Sequence, residues 1–181
     1  MPARSIGSRE KELLRNAHKY LPGGTTGNIS TDIVMSRGIG SHILDLSGNE
    51  YVDYNLGSGP MLIGHAHPEV ITAVKEQVEQ GTTFFALNEY AIQLAEEISS
   101  AVPCAKKVRF VSTGSEATLY AMRVARAYRR RDKILKFEGG FHGMNDYSLM
   151  SLEPAQPLNF PDAMADSAGI PDSIRSEVLI A

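Results

Sequence analysis

The sequence predicts an α/β fold with a sheet that is at least partly parallel. Three observations predict it. The stretch VRFVSTGSEATLYAMRVARAYRRRDKILKFEGGFHG, residues 108–143, reads as strand, polar loop, helix, strand and Gly-rich loop. Its two apolar runs, Val108–Val111 and Ile134–Phe137, are short and nearly continuous, as buried parallel strands are. The helical pattern over Glu116–Arg129 is long enough to return the chain for a right-handed crossover.

Taken in order, Ser8–Tyr20 reads as a helix with the stripe Leu13, Leu14, Ala17 and Leu21, stopped by Pro22-Gly23-Gly24. A lone helix of this size is marginal, so it is expected to pack on something. Thr25–Ser30 is polar and loop-like. Ile33–Met35, His42–Asp45 and Tyr51–Tyr54 read as short strands, and Ser47-Gly48-Asn49 supplies a hairpin turn. Asp45 and Asp53 fall at strand ends, where a structural role outweighs a paired-carboxylate role.

Asn55–Gly64 is Gly-rich. Pro68 opens a helix carrying Val70, Ala73, Val74, Gln77 and Val78, and Gly81 ends it. His65 and His67 lack a nearby Cys or carboxylate cluster, so they read as residues that cap and pack this turn rather than as metal ligands. Asn88 reads as the N-cap of a helix with Ala91, Ile92, Leu94, Ala95 and Ile98, closed by Pro103. Phe84 and Phe85 before it read as core or as pocket lining. After Gly143 periodicity fades: 144–175 is rich in Pro, Asp, Ser and Ala, and such long irregular stretches are often functional or mobile. An apolar run begins at Glu177 and continues to Ala181.

The chemistry is expected in the loop that opens the central helix. Small residues let backbone approach a ligand, and the first amides of a helix lack internal partners. A phosphate there meets N–H donors, hydroxyls and the positive helix end together. Thr113, Gly114 and Ser115 are therefore the anion-binding candidates. The same residues also read as an ordinary helix start in which Ser115 caps and nothing binds.

Composition narrows the field. The 181 residues carry a formal net charge of −3, and 43% of them are hydrophobic. That is enough for a core, in one domain or a large part of one. The mild acidity argues against nucleic acid, since the one basic run, Arg129–Arg131, suits a helix C-terminus. Cys104 is the single cysteine, so no internal disulfide forms, which fits a cytoplasmic location. No apolar run approaches the roughly 20 residues that span a membrane, and MPARSIGSREKELL lacks an apolar signal core. No internal repeat is found.

STGSEA, followed after the helix by KILKFEGGFHG, resembles the class III aminotransferases, pyridoxal 5'-phosphate (PLP) enzymes of fold type I. Within them it is most similar to the glutamate-1-semialdehyde aminomutase branch. LPGG, ILDLSGNEYVDY and GPMLIGHAHPEV extend the likeness over nearly the whole chain. The resemblance implies a portion of the fold type I large domain over residues 56–181, preceded by an N-terminal helix and β-hairpin segment over 1–55. It implies PLP as cofactor, amino donor and carbonyl acceptor as small-molecule partners, and a homodimer in contact around Gly57–His67. It implies no metal, and the N-terminal segment would lie over the active site.

The resemblance also implies the site. Thr113, Gly114 and Ser115 would form the phosphate cup, and Phe141 would stack on the cofactor ring with His142 beside it. From the residues alone, Phe141 reads equally as packing. The lysine that forms the Schiff base and the Asp that pairs with the pyridine nitrogen lie, in the family, well beyond the Gly-Phe-His-Gly loop. Lys11, Lys19, Lys75, Lys106, Lys107, Lys133 and Lys136 do not match that lysine's context. No catalytic residue is therefore assigned, and the chain by itself is expected not to transaminate.

Two departures mark the substrate side. The aminomutases carry an Arg at the position of Ser30 and a Trp at that of Ser58, and this chain has no Trp. Amino-group transfer on another substrate is thus favoured over glutamate-1-semialdehyde, with a non-catalytic phosphate-binding or assembly module as the alternative. A NAD-binding reading fails, because STGSEA lacks the G-x-G-x-x-G glycines.

Overall fold

A computed structural model describes residues 4–27, 31–154, 156 and 158–181. Ser30 lies outside them. The chain forms two compact units, Met1–Leu87 and Asn88–Ala181.

The first unit is a helix docked on a hairpin sheet. Helix α1 spans Ser8–Tyr20, and a 3-10 turn at Pro22–Gly24 follows, with Gly23 at φ 65°. Strands β1 (Met35–Ile39), β2 (His42–Asp45) and β3 (Glu50–Val52) form an antiparallel sheet in that order. The first strand lies later than the expected 33–35, because its ladder runs from Met35↔Asp45 to Ile39↔His42. The register slips between Met35 and Arg37, a β-bulge that bends this edge strand.

Two acidic residues hold the unit together. Glu10, on α1, is buried and accepts from Arg4, from the Ser47 hydroxyl and from the Val34 amide at 2.9 Å. Asp45 ends β2 and is also buried. It accepts the Ser47 and Asn49 amides at 3.0 and 2.8 Å, Asn49 Nδ2 at 2.7 Å, the Tyr51 hydroxyl at 2.9 Å and Arg4 Nε at 3.1 Å. Burial pushes the Asp45 carboxyl up. The bonds from Asn49, Tyr51 and Arg4 reverse that and hold it well below the usual carboxylate range. Arg4 thus ties the segment before α1 to the hairpin through both carboxylates.

Asp53 and His65 close the next loop. His65 Nε2 lies 2.7 Å from Asp53 Oδ2, and Asp53 Oδ1 accepts the Asn55 and Leu56 amides. The His65 bond, then that from Leu56, draws the Asp53 carboxyl down against burial. His65 and Gly40 also exchange backbone bonds at 2.8 and 2.9 Å. Between these ties, Leu56, Gly57, Ser58 and Gly59 all have positive φ. Helix α2 follows over Pro68–Gln80, with His67 at its N-cap and Gly81 at its C-cap.

The second unit is the α/β part. Helix α3 spans Glu89–Ala101, capped by Asn88 Oδ1 accepting from the Ala91 amide at 2.9 Å. Helix α4 spans Gly114–Arg129, and Arg130 caps its C-terminus in the left-handed region. Strand β4 (Ile134–Lys136) pairs in parallel with β5 (Val178–Ile180), and the short helix α5 (Asp172–Arg175) precedes β5. Val108–Val111 forms no strand, which corrects the sequence expectation. Its backbone has no strand beside it among the described residues, and the parallel partner of β4 is the 178–180 run instead.

The core of this unit sits where regular structure is scarce. Met150, Ala163, Val178 and Ile180 are buried, with Tyr147, Ile170 and Ile174 packed against them. The irregular stretch after Gly143 therefore supplies core residues, and Met150 forms an isolated bridge with Ala165. Arg126 of α4 reaches this layer: its guanidinium sits 4.0 Å from the Tyr147 ring centroid and pairs with Glu177 at 3.5 Å. By contrast, α2 and α3 bury no residue fully, and Val74, Val78, Ile92 and Leu94 remain exposed.

Candidate active site

The N-terminus of α4 is built by a capping box. Thr113, not Ser115, is the N-cap: its Oγ1 accepts the Glu116 amide at 3.1 Å. Glu116 Oε2 reaches back to the Ser112 and Thr113 amides at 2.7 and 3.2 Å. This corrects both the expected cap and the expected helix start at Glu116. Thr-x-x-Glu is legible in TGSE, and the preference for Ser as a cap hid it.

The box decides which donors remain. The Ala117 amide bonds to the Thr113 carbonyl at 3.1 Å, as the first full helical turn requires. With Ser112, Thr113, Glu116 and Ala117 committed, the Gly114 and Ser115 amides are the first-turn donors without a helical partner. They sit where the helix end is most positive. A Cβ at Gly114 would meet nothing within 4 Å, so the space beside its Cα is open.

The Gly-rich loop after β4 forms the other wall. A cavity of about 300 Å³ is lined by Gly114, Ser115, Thr118, Phe141, His142 and Gly143. The structure thus brings Gly114, Ser115, Phe141 and His142 to one place. Thr113 does not line it, because its side chain is spent on the cap. Phe141 is 57% exposed, so its ring is not used as core packing.

Residues the sequence reading missed hold the two walls together. Gly143 has φ +100°, and a Cβ there would lie 2.6 Å from Ser115 Cα. Only glycine lets the loop approach α4 this closely. The Met144 amide donates to Ser115 Oγ at 2.8 Å, and Thr118 Oγ1 donates to the His142 carbonyl at 2.6 Å. Asn145 Nδ2 reaches the Ser115 carbonyl at 3.4 Å and Thr118 Oγ1 at 3.3 Å. The spacing of STGSEAT and HGMN carries no periodic signal for these contacts, since they join segments 24 to 30 residues apart.

Lys136, at the end of β4, is buried and donates to the carbonyls of Ser148 and Met150. Burial lowers its pKa, and the nearby Asp166 carboxylate opposes that shift. Its ammonium is committed to backbone. His65 and His67 belong to the other unit, and among the described residues no group of three His, Cys, Asp or Glu could hold a metal.

The family model for class-III aminotransferases matches residues 25–171. The chain belongs to this family. Among its relatives, the glutamate-1-semialdehyde 2,1-aminomutase of Methanothermobacter thermautotrophicus is 41% identical over 177 residues, 95% of this chain and 41% of the relative. That of Thermodesulfovibrio yellowstonii is 38% identical over 180 residues, 96% of this chain and 42% of the relative. The chain therefore spans about two-fifths of the length of the curated relatives it matches.

Solved structures agree. An omega-transaminase from Sphaerobacter thermophilus superposes with a TM-score of 0.89 at 33% identity, over 98% of this chain and 42% of that one. A transaminase with PLP bound gives 0.89 at 29% identity, again over 98% and 42%. A glutamate-1-semialdehyde-aminomutase from Pseudomonas aeruginosa gives 0.75 at 20% identity over 96% of this chain and 39% of that one, a likeness of fold. The chain is thus a portion of the class-III aminotransferase α/β fold.

Proposed function

We propose that the protein carrying this chain performs PLP-dependent amino-group transfer between a small amino donor and a carbonyl acceptor. The observation that carries the reading is the pair of first-turn amides, Gly114 and Ser115, without a partner among the described residues and beside a cavity walled by Phe141 and His142. That arrangement fits a phosphate at the helix end and an aromatic ring against Phe141.

PLP, when bound, supplies an electron sink for the carbon that loses or gains the amine. The chain's own residues bind and orient it. Gly114 and Ser115 would hold the phosphate through their amides, while the Thr113 hydroxyl satisfies the Glu116 amide. Phe141 and His142, on the opposite wall, would hold the ring. No lysine of this chain is assigned the covalent role, because the buried one, Lys136, is held by two carbonyls. Residues 1–181 alone are proposed not to transaminate.

We assign the 1–55 segment to an N-terminal helix-and-hairpin part and 56–181 to the large domain, a boundary that falls inside the compact unit Met1–Leu87, with a homodimer contact around Gly57–His67. Exposed Leu62 and Ile63 in that region support the contact. A cytoplasmic location is proposed on the single exposed Cys104; separately, no helix among the described residues is long and apolar enough to cross a membrane. Ser58, where the aminomutases have Trp, favours a substrate other than glutamate-1-semialdehyde.

The test is Ser115→Pro, which deletes one cup amide in the first turn, where no helical hydrogen bond is lost. PLP retention should fall further than in Ser115→Ala, which loses only the Ser115 Oγ bond to the Met144 amide and so controls for that contact. Unchanged retention would remove the phosphate from this helix end.

A further inference from the structure

The buried lysine has no role in the scheme above, yet its bonds lead back to the cup. Lys136 Nζ donates to the Ser148 carbonyl at 3.1 Å and to that of Met150. Ser148 Oγ in turn donates to the His142 carbonyl at 3.0 Å, the same oxygen that Thr118 Oγ1 reaches from α4 at 2.6 Å. The Ser148 amide bonds to Asn145 Oδ1 at 3.1 Å, and Asn145 bridges to the Ser115 carbonyl. Segment 142–150 is thus held from below by one ammonium and from the side by the first turns of α4.

A surface lysine making such bonds would contribute little. Lys136 is 6% exposed, and an ammonium taken out of water must find strong acceptors or lose its charge. Two convergent carbonyls supply them, and the Asp166 carboxylate, tied to the Leu152 and Glu153 amides, favours the charge. Removing the ammonium leaves both carbonyls buried without this donor, so the segment must move.

We propose that Lys136 is a positioning residue for the phosphate cup. Through Ser148 it fixes the His142 carbonyl, and with it Gly143, against the Gly114 and Ser115 amides. The inference rests on the cup reading given above, and adds to it a residue outside the cavity that sets the cavity's shape.

The experiment compares the dissociation constants of PLP and of pyridoxal, which lacks the phosphate, for the protein and two variants. The ratio of the two constants reports the cup alone. Lys136→Met should weaken PLP roughly tenfold, the loss expected from an unmade buried hydrogen bond, with pyridoxal within about twofold. Ser148→Ala, which keeps the lysine, should shift the ratio in the same direction by a smaller factor. A purely structural lysine would lower the unfolding midpoint and leave the ratio untouched, and that result overturns the proposal. Should Lys136→Met not fold, an unchanged ratio in Ser148→Ala overturns it equally. A wild-type protein that binds PLP no better than pyridoxal would instead dismiss the cup itself, and this inference with it.

Discussion

Replacing Gly143 with alanine should separate the loop from α4 and open the cup. The backbone there sits at φ +100°, where an L side chain costs about 1–2 kcal/mol. The new Cβ would also lie 2.6 Å from Ser115 Cα and 2.7 Å from its Oγ, so the loop must retreat by more than half an ångström to reach ordinary contact. That retreat breaks the Met144 amide's bond to Ser115 Oγ, which contributes on the order of 1 kcal/mol. The sum is about 2–3 kcal/mol. Gly169→Ala is the control: φ is +88°, and a Cβ meets nothing within 4 Å. It should show the backbone cost alone. Denaturant midpoints at constant slope measure both variants, and PLP binding should weaken in Gly143→Ala only. Equal destabilisation of the two, with equal PLP affinity, would refute the close approach.

Three further outcomes are expected. Thr113→Ala removes the capping box and should lower stability by about 1 kcal/mol, read as a shift in midpoint; Thr113→Ser should restore it. Asp45 is held below its unfolded pKa, so its contribution is present above about pH 4 and is lost as pH falls toward the folded value. Acid unfolding should therefore steepen below about pH 4 in the wild type and be blunted in Asp45→Asn. His65→Ala removes the partner of Asp53 and should raise amide exchange at Asn55 and Leu56, whose donors lie on the same carboxylate; protected amides there would show that the pair does not hold the loop.

Local signals were read well from the sequence where one segment decides its own structure. Ser8–Tyr20 carries a stripe and a Pro-Gly-Gly stop, Asn88 is a strong cap, and Gly81 ends α2. Val108–Val111 shows the limit. An apolar run reports that burial suits it, while a strand also needs a neighbouring backbone, and no described strand lies beside 108–111; β4 pairs with 178–180. The buried charges Glu10, Asp45 and Lys136 were invisible for a similar reason. Each is a polar residue in a local pattern, and burial comes from partners such as Arg4, Tyr51 and Ser148 elsewhere in the chain. The cup was half legible: TGSE and GGFHG are local motifs, whereas Thr118, Asn145 and Gly143 matter only once the two motifs touch.

The most direct measurement is an amide NMR titration of the isotopically labelled protein with PLP and, separately, with pyridoxal. The account predicts that the Gly114 and Ser115 amides move furthest with PLP, in the downfield direction of a hydrogen bond to phosphate, and stay in place with pyridoxal. Thr113 and Glu116, committed to the capping box, should move little with either. Large shifts confined to other helix ends, or identical shifts with both ligands, would contradict the phosphate cup at α4.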